Sequence, residues 1–131
     1  MADDAQQAAD RSMVETQVST AMAALFKNQF GRGPARARTY FAGPDIVLCV
    51  LWGTLVPAER SLVDMGEHQR LRETRLFFQH ATEKDFRNVI EEITGRRVIA
   101  FTSATDTAKD VSTEFFHLEP HGLTLAPDVA R

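Results

Sequence analysis

The chain has 131 residues, 44% of them hydrophobic and 25% charged, with 15 Lys and Arg against 18 Asp and Glu for a formal net charge of -3. These figures fit one domain of ordinary soluble composition with enough apolar material for a single core. They exclude a two-domain enzyme, wholesale disorder and a collagen repeat, and the lone Cys49 excludes a disulfide framework.

No run approaches the roughly 18 apolar residues of a membrane span, and the longest candidate, Ile46 to Trp52, is strand-sized. The start Met-Ala-Asp-Asp-Ala-Gln-Gln lacks the basic end and apolar centre of a secretory signal. A cytoplasmic location is expected, where Cys49 stays reduced.

Residues 1–10 have few large apolar side chains and are expected to fray. From Arg11 the spacing of Val14, Val18, Ala21 or Met22, and Leu25 predicts one face of a helix, widened by Phe26 and Phe30 and ended by Gly31. After Gly31-Arg32-Gly33-Pro34 the period falls to two. Ala35, Ala37, Thr39 and Phe41 lie on one side of a strand, with Arg36, Arg38 and Tyr40 on the other. Gly43-Pro44-Asp45 is a turn, and Ile46 to Trp52, apolar at every position, reads as a central strand closing a hairpin.

Pro57 suits the first turn of a new helix, and no proline interrupts the chain from there to Thr94. Leu62, Met65, Leu71, Phe78, Phe86 and Ile93 mark its buried face with some drift. Gly66 can bend it, and Thr82-Glu83-Lys84-Asp85 resembles a second helix start, so two or three helices are possible. Gly95 closes the region. Arg97 to Ser103 and Val111 to Leu118 form a second hairpin, and residues 119–131 read as a loosely held tail. The order α-β-β-α-β-β predicts an α+β two-layer sandwich over 11–118: a four-stranded antiparallel sheet with long helices on one face. The other face would carry Tyr40, Cys49 or Phe116, depending on register. If that face is apolar, a homodimer through the sheet is expected.

Candidate sites are few. Gly31 to Arg38 sets Arg32, Arg36 and Arg38 beside a glycine turn, as an anion or nucleic-acid site would. The structural reading is preferred: a helix cap at Gly31, a turn through Gly33 and Pro34, and an edge strand guarded by charge. The segment lacks the Lys-Ser/Thr ending of a phosphate loop, and the acidic overall balance counts against nucleic acid. Arg70, Arg72 and Arg75 with Glu67 and Glu73 read as a solvated helix face, or else as a polar partner surface. Arg32, Arg36, Arg38, Arg70 and Arg75 are thus the candidate ligand or partner contacts, and Gly31, Gly33, Pro34, Pro57, Gly66 and Gly95 the turns and caps. His68, His80, His117 and His121 fit no zinc spacing, and Cys49 reads as a buried inert thiol. Asp106, Thr107, Lys109 and Asp110 read as a solvated turn. No catalytic set, metal site or cofactor is expected.

A helix closing in Phe30-Gly31-Arg32-Gly33-Pro34 is followed by a hairpin through Asp45-Ile46-Val47 and by Gly53-Thr54-Leu55-Val56-Pro57-Ala58-Glu59. Ile90-Glu91-Glu92-Ile93-Thr94-Gly95-Arg96-Arg97-Val98 and a closing hairpin with Asp106 come next. In that order the segments resemble the MpsC-like family of bacterial proteins, YbcI-type chains included, from about Arg11 to Leu118. The resemblance implies an accessory role, linked by name and association to a sodium- or proton-coupled membrane-potential-generating system and inorganic carbon uptake. It brings no catalytic residues. Phe77-Phe78-Gln79-His80 stands where a more charged helix is expected of the family. The expected function is a non-enzymatic accessory protein that docks on a protein partner at the cytoplasmic membrane face. The alternative is an anion or nucleic-acid binder using Arg32, Arg36 and Arg38.

Overall fold

The computed structural model describes residues 2–120. Its elements are α1 (Ala2–Phe30), β1 (Arg36–Phe41), β2 (Ile46–Trp52), α2 (Pro57–Asp64), α3 (His68–Thr94), β3 (Val98–Asp106) and β4 (Val111–Leu118). The strands form one antiparallel sheet in the order β1-β2-β4-β3, so each hairpin supplies one edge strand and one central strand. The helices lie on one side of it, as the element order predicts.

Helix α1 starts at Ala2 rather than near Arg11. Ala and Gln are good helix formers, and Asp3 and Asp4 sit in the first turn, where the helix dipole favours negative charge. Residues 3–13 are all exposed, so no packing pattern announces this stretch. Farther on, Val18, Met22 and Phe26, four residues apart, are fully buried. The helix closes where the Gly31 N–H bonds to the Lys27 carbonyl at 2.9 Å.

The stretch from Pro57 to Thr94 breaks once, into α2 and α3. Gly66 holds the break, its φ of +77° lying in the left-handed region that glycine takes at little cost. The second start anticipated at Thr82 is not used: α3 runs through it, and the Thr82 hydroxyl donates back to the Phe78 carbonyl at 2.8 Å. Pro57 opens α2, and Glu59 reaches back to accept from the Val56 N–H at 2.9 Å. Strand β3 extends to Asp106, past the expected end at Ser103. Of the tail, only Glu119 and Pro120 fall within the described residues, and the Glu119 N–H bonds to the Arg97 carbonyl at 2.8 Å.

Between helices and sheet lies one core. Val18, Met22 and Phe26 of α1 and Phe86 and Ile90 of α3 meet Val47, Cys49 and Leu51 of β2, with Val98, Phe116 and Leu118 completing it. Phe26 stacks on Phe86 with ring centroids 5.9 Å apart, and Phe101 on Phe116 at 5.0 Å. Each fully buried side chain of this size stabilises by roughly 1.5–3 kcal/mol, so the fold rests on this layer. Cys49 and Phe116, expected on the uncovered sheet face, belong to the core instead. The register pairs Val47 with Phe116 and Cys49 with Glu114 on the helix side, leaving Tyr40 alone of the three outside.

At the end of β2, Gly53 has a φ of +70°, and a Cβ there would stand 2.9 Å from the Ala35 Cβ. Gly43 has a φ of +88° with nothing near. Gly43→Ala should therefore cost about 1 kcal/mol for backbone strain alone, and Gly53→Ala about 1–3 kcal/mol more for the clash. Urea unfolding of the two variants checks the order.

Candidate functional site

Strict alternation along the strands builds a second sheet face opposite the helices. Cross-strand pairing sets its residues in level rows: Arg36, Trp52, Val111 and Asp106; then Arg38, Val50, Thr113 and Ala104; then Tyr40, Leu48, Phe115 and Thr102. None of these residues is buried. The middle of the face, formed by β2 and β4, is largely apolar. One rim, β1, is basic, and the other, β3, ends in Asp106. The Arg36 guanidinium lies 4.7 Å from the Trp52 ring centroid, a cation–π contact that holds the charge against the apolar centre.

The sequence candidates separate into three groups. Arg36 and Arg38 share this open face, while Arg32 is exposed in the α1–β1 loop with Gly31, Gly33 and Pro34. Arg70 is exposed on α3, but no Glu67–Arg70 or Arg70–Glu73 ion pair forms among the described residues. Glu73 instead accepts from the Gln69 amide at 3.2 Å. Arg75 overturns the solvated-face reading, being only 1% exposed.

Arg75 is the centre of a polar interior. Its Nε and Nη2 donate to Glu59 Oε2 and Oε1 at 2.7 and 2.6 Å, Nη2 also reaches the Thr54 carbonyl at 2.9 Å, and the guanidinium sits 4.0 Å from the Phe30 ring centroid. One helical turn on, the Gln79 amide donates to Glu114 Oε1 at 3.2 Å. Glu114 is completely buried on β4, across from Cys49 and Ser103. Arg75 Nη1 and Gln79 Oε1 have no hydrogen-bond partner among the described residues. Two small cavities, of about 130 and 140 Å³, lie between α3 and β3, both lined by Leu76, Gln79 and Ser103. Burial pushes the Glu114 carboxyl up to about 8, opposed only in part by the Ser103 hydroxyl, the Arg75 charge and the Gln79 amide. Burial likewise pushes the Cys49 thiol up to about 12; the Thr39 hydroxyl lowers it and the Glu114 charge raises it further. A thiol held so far from ionisation is a poor nucleophile.

Two further polar contacts were not anticipated from the sequence. Asp110, read as part of a solvated turn, accepts from the N–H groups of Thr54 and Leu55 at 2.8 and 3.1 Å and pairs with Arg60, tying the second hairpin to the β2–α2 connection. Thr107 beside it is buried. Arg96 donates to the Pro44 and Glu119 carbonyls and to Asp45, tying the α3–β3 connection to the first hairpin. A recess of about 680 Å³ is an open depression whose lining includes His68, Arg72, Asp106 and Thr107. His68 Nδ1 is bonded to the Thr107 hydroxyl at 2.5 Å. Among the described residues no three His, Cys, Asp or Glu side chains are grouped as a metal would require, and His121 lies outside them.

A family model described as the Na+-translocating membrane potential-generating system (MpsC) matches residues 10–120. No curated protein and no solved structure matches the chain. The match spans both hairpins, α3 and α1 from residue 10 on, and with them the open sheet face and the Arg75–Glu114 interior.

Arg75→Ala would leave Glu59 without its partner in a half-closed site and should cost about 3–5 kcal/mol. Arg75→Met combined with Glu59→Gln should recover much of that loss in urea unfolding. Glu114 gives a pH signature. Its native carboxyl holds a proton up to about 8, whereas the unfolded chain releases it in the ordinary carboxylate range. Stability from this group is therefore complete below that range and lost as pH rises through to about 8. The effect is on the order of a few kcal/mol. Glu114→Gln should remove this decline, measured as the difference between urea midpoints at pH 5.5 and pH 8.5.

Proposed function

This chain belongs to the MpsC family, and from that premise we propose that it is a non-enzymatic accessory protein of a Na+-translocating, membrane-potential-generating system, working by docking. The observation behind this reading is the sheet with helices on one side only. Trp52, Val50, Leu48, Val111 and Phe115 form a continuous apolar strip on the uncovered side, and a strip of that kind usually marks an interaction surface. Two features support docking over catalysis. Of the cluster Glu59, Arg75 and Glu114, Arg75 and Glu114 are buried in the scaffold and Glu59 is half-buried and committed to Arg75, and the large recess is shallow. Among the described residues no helix is long and apolar enough to cross a membrane. On this reading the chain meets the translocating system through protein contacts, at the cytoplasmic face.

Val50→Glu tests the assignment, because it puts a charge in the middle of the strip without touching the core. Deleting the chain from its host should abolish the Na+-dependent part of the membrane potential, read with a potential-sensitive dye. The wild-type chain should restore it, and folded Val50→Glu should not. Full restoration by Val50→Glu would remove the docking face from the reading. An unchanged potential on deletion would remove the Na+ system.

A further inference from the structure

We propose that the open sheet face closes on a second copy of this chain, the two sheets packed face to face about a two-fold axis that runs along the strands between β2 and β4. This presupposes that the face docks, and it names the occupant. The rows fix the geometry. A two-fold rotation about that axis keeps each row level while exchanging the two edges of the sheet. It carries β1 over the partner's β3 and β2 over the partner's β4. Arg36 then faces the partner's Asp106, Trp52 the partner's Val111, Val50 the partner's Thr113 and Leu48 the partner's Phe115.

Charge selects this axis. The basic rim lies at one edge of the face and Asp106 at the other, in the same row as Arg36, so the exchange brings opposite charges together twice, once at each side of the pair. The competing in-plane axis, running across the strands at the Arg38 row, lays β1 on the partner's β1. It sets Arg38 against the partner's Arg38 and leaves Asp106 opposite the partner's Thr102. Like-charge juxtaposition of that kind is strongly disfavoured. Packed sheets stand about 10 Å apart with strand directions turned by about 30°, a gap that Arg and Asp side chains span from both sides. Arg36 lies over Trp52 on the open face, so its charge is held on the side that the second copy covers.

The test is sedimentation equilibrium on the full chain. Wild type should be a dimer. Arg36→Asp and Asp106→Arg should each weaken it about tenfold or more, because either substitution makes like charges meet at two symmetric places. The double variant restores opposite charges with reversed polarity and should return close to wild type. Asp106 also accepts from the Lys109 N–H at 2.9 Å in the turn. Asp106→Asn keeps that bond while removing the charge, so it should weaken the dimer without altering the fold measured by circular dichroism. A wild-type monomer at every concentration, or a double variant no tighter than the single ones, would overturn the proposal. Val50 lies in this same contact, facing the partner's Thr113, so Val50→Glu should also give a monomer, and a dimer that persists in it would overturn the proposal. An unchanged membrane potential on deleting the chain removes only the Na+ system and leaves the dimer standing.

Discussion

Side chains on a strand alternate between two faces, and β2 is apolar at all seven positions. Val47, Cys49 and Leu51 therefore go under the helices, and Ile46, Leu48, Val50 and Trp52 are sent the other way. Among the described residues there are two long helices and one short one, enough to cover one face of four strands. A polar alternate set on β2 would give a self-sufficient two-layer monomer. The set present makes the second face an apolar surface flanked by charge, and the docking reading follows from that composition.

The covered side has its own imbalance. Arg75 is the largest fully buried side chain, and desolvating a guanidinium is tolerable only with close compensation. Glu59 supplies it with two short bonds, Thr54 with a carbonyl and Phe30 with a ring face. That leaves little of the Arg75 charge for Glu114, whose contact to α3 is a single neutral amide bond. Burial raises the Glu114 carboxyl, and the Arg75 charge, already paired with Glu59, offsets that only in part; burial pushes Cys49 up in the same environment. Glu114 stands between Thr113 and Phe115, so one strand presents a proton-holding group to the core and part of the open face to its exterior.

Much of the architecture was legible because its signals are periodic. The 3–4 spacing from Val14 to Phe30, the period-two run in β1 and the uninterrupted apolar run of β2 each admit one economical reading, and the two hairpins and one-sided helices follow. The misses have definite causes. Residues 3–10 form helix by local propensity and are all exposed among the described residues, so no amphipathic pattern exists to find. In β4 the alternatives Val111-Thr113-Phe115 and Ser112-Glu114-Phe116-Leu118 are both partly polar. Only pairing with β2 decides that the set containing Glu114 faces inward. Arg75 shares its surroundings in sequence with Arg70 and Arg72, which are exposed. What distinguishes it is Glu59, on a different helix sixteen residues earlier. Asp110 and Arg96 were hidden in the same way, since their partners, backbone groups and the side chains of Arg60 and Asp45, lie about fifty residues away in sequence.

The segments that carry the family resemblance have a common physical role. Asp45 and Arg96 join the first hairpin to the end of α3, and Glu59 and the Thr54 carbonyl hold Arg75. The N–H groups of Thr54 and Leu55 are bound by Asp110 of the second hairpin. These contacts set where the two hairpins stand relative to the helices and so keep the rows of the open face level. Such segments select for a scaffold and leave its outward side chains free to specify a partner. The exposed Leu76, Phe77 and Phe78 on α3, in the helix layer, illustrate the same freedom. If two sheets close on each other, the helix layers become the outer surfaces of the pair, and this apolar group on α3 remains open to a different protein. Docking on a translocating system is then a property of the closed pair, and the same apolar strip underlies both.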